Sequence, residues 1–143
     1  VATSTIARRS RVTIAGGAIE TVAYTAGALL LGAEGAVHAE QFASGFSGVA
    51  WIGPLFLANA AACVAAIVGL LNTRTRRLAA LTGVVISTAA LLSLVVSYGQ
   101  GLFGWQEGGF RPEVAVAALT EAGAAIVLSA ALALRNASSS RGS

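Results

Sequence analysis

The stretch GGAIETVAYTAGALLLG, Gly16 to Gly32, is apolar enough to lie in lipid, yet it carries an acid, Glu20, near its middle. A run of this length spans a hydrocarbon core of about 30 Å as a helix. Helix is forced on it, because lipid offers the backbone no hydrogen-bond partner and the sequence lacks the alternation of a barrel strand. Three further segments read the same way. The spans fall at about residues 12–32, 49–71, 78–98 and 114–134, followed by a polar tail at 135–143.

Composition agrees with that reading. The chain has 143 residues, 56% hydrophobic and 10% charged, with a mean hydropathy of +0.79. These values lie far from those of water-soluble domains. Four spans consume most of the length, so a single transmembrane domain is expected. The fold class that follows is all-α, an integral membrane four-helix bundle. The lone Cys63 sits in an apolar run and supports neither a disulfide framework nor a cysteine metal cage.

A net charge of +3 raises the question of nucleic acid, but the basic residues are all arginine and cluster beside the apolar segments. Arg8, Arg9 and Arg11 precede the first span, Arg74, Arg76 and Arg77 join the second to the third, and Arg135 and Arg141 follow the fourth. Only Arg111 lies on the opposite side. Positive charge of this kind sets topology and is not a nucleic-acid stripe. Both termini and the Asn72 to Arg77 turn are therefore expected in the cytoplasm, with the chain multi-pass in a bacterial inner membrane. A cleaved signal peptide fits the first segment poorly, since the run is too long and no A-x-A site follows it.

The two outer loops differ in character. The first, AEGAVHAEQFASGFSG, is expected to form a short amphipathic helix in the interface. The second, GQGLFGWQEGGFRPE, combines glycine with aromatics and reads as flexible. Trp51, Tyr98, Phe103, Trp105 and Phe110 are the expected interface anchors, and Pro112 suits a helix start. Small residues at four-residue spacing (Ala58, Ala62, Ala66; Ala79, Gly83, Ser87; Ala125, Ser129, Ala133) permit close helix packing.

Glu20 and Glu121 are the acids inside the expected spans, and a carboxyl at mid-bilayer is too costly to face lipid. Counted from the outer ends at 1.5 Å per residue, Glu121 lies about 10 Å deep, Tyr24 about 12 Å, Asn59 about 12 to 15 Å and Glu20 about 18 Å. Glu20, Tyr24, Asn59 and Glu121 thus form one expected ligand or proton pocket in the outer half. With no arginine in any span, at least one of the two acids is expected to keep its proton at neutral pH and donate a hydrogen bond. The competing reading is interhelical glue.

Other chemistry is thin. His38, with Glu34 and Glu40, is a weak candidate metal set, lacking a second histidine or a thiol pair. No Asp, elbow motif or phosphate-binding glycine pattern supports an enzyme, and no cofactor is expected.

The pieces GAVHAEQFASGF, GLFGW and GGFRPEVAVAALTEA, set in four spans, resemble small uncharacterised actinobacterial four-helix membrane proteins, loosely DoxX-like in layout. In that resemblance His38 closes the first span, Glu40 and Phe42 follow it, and Pro112 and Glu121 enter the last. It implies architecture and no activity. The function expected first is a non-enzymatic accessory or scaffolding subunit, with membrane lipids and other membrane subunits or a second copy as partners. The alternative is a small proton-coupled transporter or amphiphile-binding protein, and a metal- or redox-linked factor is a distant third.

Overall fold

The computed structural model describes residues 2–109 and 111–140, with side chains from Gly16 onward. Phe110 and Arg141 lie outside the described residues, and Arg8, Arg9 and Arg11 are described as backbone only. Four helices follow in order: α1 (Ala2–Ala43), α2 (Ile52–Leu71), α3 (Arg76–Gly99) and α4 (Pro112–Ser140). A single 3₁₀ turn at Phe46–Gly48 precedes α2. No strand is formed among the described residues, and the expected all-α class is what the chain adopts.

The helices form a ring in which α1 and α3 each pack on both α2 and α4. Across the ring α1 also touches α3, whereas α2 and α4 do not meet. The reason lies in two glycines. Leu128 of α4, fully buried, occupies the space that a side chain on Gly27 or Gly83 would fill, and Leu31 of α1 also closes on Gly83. Absent Cβ atoms thus let α1, α3 and α4 approach, as small residues do between membrane helices.

The α2 to α3 connection is tight. Thr75 Oγ1 donates to the Gly69 carbonyl at 2.8 Å and Arg76 Nε donates to the Leu70 carbonyl at 2.9 Å, covering carbonyls that the end of α2 leaves free. Gly69 admits the Ala79 methyl at this end. Toward the other end, where the 44–51 and 100–111 connections lie, α3 buries nothing between Ser87 and Ser97. The gap so left between α2 and α3 is a cavity.

Outside, the molecule is apolar. Leu57, Val64, Val68, Leu92, Leu119 and Ile126 all point outward and are exposed. Helices α2, α3 and α4 are each long and apolar enough to cross a membrane by length and composition.

Three expectations change. Helix α1 does not stop near Gly32; it runs on to Ala43, so the first half of the expected interfacial loop is helix within the bundle. The residues from 135 to 140, expected as tail, continue α4. The buried face of α4 carries Ala117, Glu121, Ala124, Leu128 and Ala131, while Ser129 and Ala133 of the expected small-residue row are exposed. The α3 row, Ala79, Gly83 and Ser87, is buried as expected.

Candidate functional site

The site begins with a seam along α1. Besides Gly35, which packs against Cys63, its buried positions run Tyr24, Gly27, Leu31, Glu34, His38 and Gln41, alternate steps of three and four residues that keep one face of a helix toward its neighbours. The seam changes from apolar to polar without leaving the interior. Glu34 is completely buried.

Glu34 is held by two other helices. Asn59 Nδ2 of α2 donates to Glu34 Oε1 at 3.2 Å, and Ser87 Oγ of α3 donates to Glu34 Oε2 at 2.6 Å. Cys63 Sγ donates to Asn59 Oδ1 at 3.3 Å, which fixes the amide so that its NH₂ faces the acid. Each carboxyl oxygen therefore has a donor, the condition for keeping such a group in a low-dielectric interior.

One turn further on, His38 Nδ1 lies 3.0 Å from the Glu34 backbone carbonyl. A carbonyl only accepts, so Nδ1 carries the hydrogen in this bond. The other ring nitrogen, Nε2, faces Glu121 Oε1 of α4 at 3.6 Å. With Nδ1 committed to that carbonyl, Nε2 is the ring nitrogen turned to the Glu121 carboxyl, which places imidazole and carboxyl as neighbouring proton-accepting groups. Glu121 Oε2 is buried and has no hydrogen-bond partner among the described residues.

His38 and Glu121 line the cavity, whose volume is about 340 Å³. Its polar lining also includes Gln41, Asn59, Ser93 and Ser97. Aromatic rings form one wall. Trp105, Phe46, Phe56 and His38 follow one another edge to face, with centroid separations of 5.1, 5.1 and 5.3 Å. Such edge-to-face contacts fix the ring orientations. At the rim Arg111 makes two bonds to Glu107, Nε to Oε1 at 3.2 Å and Nη2 to Oε2 at 3.0 Å, and its Cζ lies 5.9 Å from the Phe46 ring centroid. The hydrogen bonds to Glu107 push the Arg111 guanidinium, already strongly basic, further up.

The expected pocket is split by this arrangement. Asn59 and Glu121 belong to the site; Glu20 and Tyr24 do not. Glu20 Oε1 faces Arg135 Nη1 at 3.9 Å, and the Tyr24 ring sits beneath Arg76, whose Cζ is 5.4 Å from the ring centroid. Because α1 extends to Ala43, Glu20 lies about 21 Å along the helix from Glu34, toward the α2 to α3 turn. Of the candidate metal set, Glu34 and His38 are interior and Glu40 is exposed, and no group of three or more metal-ligating side chains is gathered among the described residues.

Of the expected anchors, Trp51 and Phe103 are exposed and lie against each other at 6.2 Å, each at positive φ. Tyr98 donates its hydroxyl to the Gly109 carbonyl at 2.9 Å. Trp105 turns inward to the cavity. The second connection, expected to be flexible, holds a tight turn in which Leu102 and Trp105 exchange backbone hydrogen bonds across Phe103 and Gly104.

Sequence reasoning set Glu34 and His38 in a candidate metal group apart from Asn59 and Glu121, and missed Ser87 and Gln41 altogether. The signal was present in the spacing, since the three-and-four seam continues past Gly32 through Glu34, His38 and Gln41. No family model, no curated protein and no solved structure matches the chain. The site is therefore read from its own chemistry.

Proposed function

We propose that this chain is a multi-pass membrane protein that binds a small amphiphile in the cavity lined by all four helices and couples that binding to a proton. The observation that carries the reading is the buried His38 and Glu121 pair on the wall of a 340 Å³ cavity, with one Glu121 oxygen unpartnered. A filled interior would serve helix packing alone; an open cavity with convergent polar groups and apolar walls is the form of a ligand site. An ionisable pair inside such a bundle is a functional feature by default.

The outward apolar side chains of α2, α3 and α4 support insertion, with α1 as a fourth span whose polar seam is shielded by its neighbours. The arginine clusters support a topology with both termini and the α2 to α3 turn in the cytoplasm of a bacterial cell, which puts the cavity in the outer half. The scaffolding role is the second reading. It draws on the exposed face of α2 carrying Leu57, Ala61, Val64 and Val68, and needs no cavity.

The test fills the cavity. In nanodiscs the neutral fluorescent probe N-phenyl-1-naphthylamine should bind the parent saturably. Ala90→Trp, placed on the cavity wall, should abolish that binding while helicity is kept. Unsaturable partitioning that is the same in parent and variant would leave only the scaffolding role.

A further inference from the structure

The cavity is acidic, aromatic and open on one side, and together these features define a ligand class. Its lining includes the acids Glu107 and Glu121 and no arginine. The nearest guanidinium, Arg111, is occupied by Glu107. Aromatic faces and a carboxylate oxygen are the elements that hold an organic cation, by quadrupole attraction and by charge. The protein supplies its own precedent at the rim, where the Arg111 guanidinium rests over Phe46 with a carboxylate beside it. Deeper along the same aromatic wall lies the unpartnered Glu121 oxygen with no such cation.

The way in is lateral. Leu55 and Ala58 of α2 and Ala89 of α3 line the cavity and are themselves exposed on the outer surface. The gap between α2 and α3 therefore leads from the apolar exterior to Glu121.

We infer that the ligand is an organic cation with an apolar, aromatic-compatible body, admitted between α2 and α3 and exchanged for the proton shared by His38 and Glu121. This rests on the ligand-binding reading above. Charge balances through the exchange. Before binding, the pair is neutral with one proton. When a monocation enters, that proton leaves to water, His38 keeps its Nδ1 hydrogen, and the Glu121 carboxylate faces the cation. The interior remains without net added charge, which avoids the large cost of burying an uncompensated ion. The titratable neighbours are Glu34 and His38 from α1, Cys63 from α2, and Glu107 and Arg111 from the 100–111 connection; α3 contributes the hydroxyls of Ser87, Ser93 and Ser97.

The experiment uses the full chain in nanodiscs of zwitterionic lipid. Titration calorimetry compares the saturable binding of tetraphenylphosphonium with that of the near-isosteric anion tetraphenylborate, each after subtraction of uptake by empty nanodiscs, because the membrane dipole potential alone draws the anion into lipid, and an indicator dye counts protons in weak buffer. Tetraphenylphosphonium should bind with release of about one proton, tightening as pH rises by up to about tenfold per unit, and tetraphenylborate should bind far more weakly. Glu121→Gln should weaken tetraphenylphosphonium roughly tenfold or more and remove the proton release, while the exposed Glu40→Gln should change neither. The pH dependence of the parent keeps the test decisive if Glu121→Gln fails to fold. Equal or stronger binding of tetraphenylborate, or cation binding without proton release, overturns the inference. N-phenyl-1-naphthylamine binding in that case leaves the ligand-binding reading standing; no saturable binding of any probe overturns both.

Discussion

Glu34 is the residue on which the polar interior turns, because α1, α2 and α3 all meet at its carboxyl group. Removing a donor from a fully buried carboxyl oxygen costs more than an average interhelical hydrogen bond. Ser87→Ala should therefore lower stability by about 1 kcal/mol or more, read as a shift in thermal unfolding in detergent; an unchanged midpoint would show that Glu34 finds another donor. Glu20, which the sequence alone sets beside Glu121, belongs to a partly exposed pair with Arg135. Exposed pairs contribute little, so Glu20→Gln should change stability by less than about 1 kcal/mol and leave probe binding intact. His38 is the single histidine of the chain, which makes its ¹⁵N spectrum unambiguous. The Glu34 carbonyl requires Nδ1 to stay protonated across the accessible pH range; a spectrum showing Nδ1 bare would break the assignment of the shared proton.

At the scale of elements, α1 is where reading the sequence and seeing the fold diverge most. The apolar stretch up to Gly32 was legible as a span, but Ala33 to Ala43 contains two glutamates, a histidine and a glutamine beyond it, and polarity outweighed spacing. Polar residues on one face of a helix can remain inside when facing helices supply their partners, and here Asn59, Ser87 and Glu121 do so. The same shift explains the misplacement of Glu20 and Tyr24, since depth was counted from an outer end set at Gly32 when the helix runs on to Ala43. On α4 the small-residue row was displaced by one position, about 100° of helix rotation, because alanine is common on every face. Gly83 shows what the interior will not accept. A valine there would meet both Leu31 and Leu128, so Gly83→Val should destabilise by roughly 1 to 3 kcal/mol, whereas Gly99→Ala, with open space around it, should be nearly silent. Equal unfolding midpoints for the two variants would contradict the packing described.

For the whole molecule, the apolar exterior and four-helix plan were legible because hydropathy and length alone carry them. The cavity was not, because it lies where α3 buries nothing between Ser87 and Ser97, a gap that small residues and hydropathy do not mark in the sequence. The proposed function rests on that asymmetry: small residues close one half of the bundle, and the other half holds an acid and an imidazole on the wall of a cavity. The most direct measurement is carboxyl labelling by dicyclohexylcarbodiimide, which enters lipid and adds to a protonated carboxyl to form an N-acylurea. Peptide mapping of the intact protein in nanodiscs should place the label on Glu121, spare Glu34 behind its two donors, and show the label lost in Ala90→Trp. Label on Glu20 or Glu34 with Glu121 untouched would contradict the account.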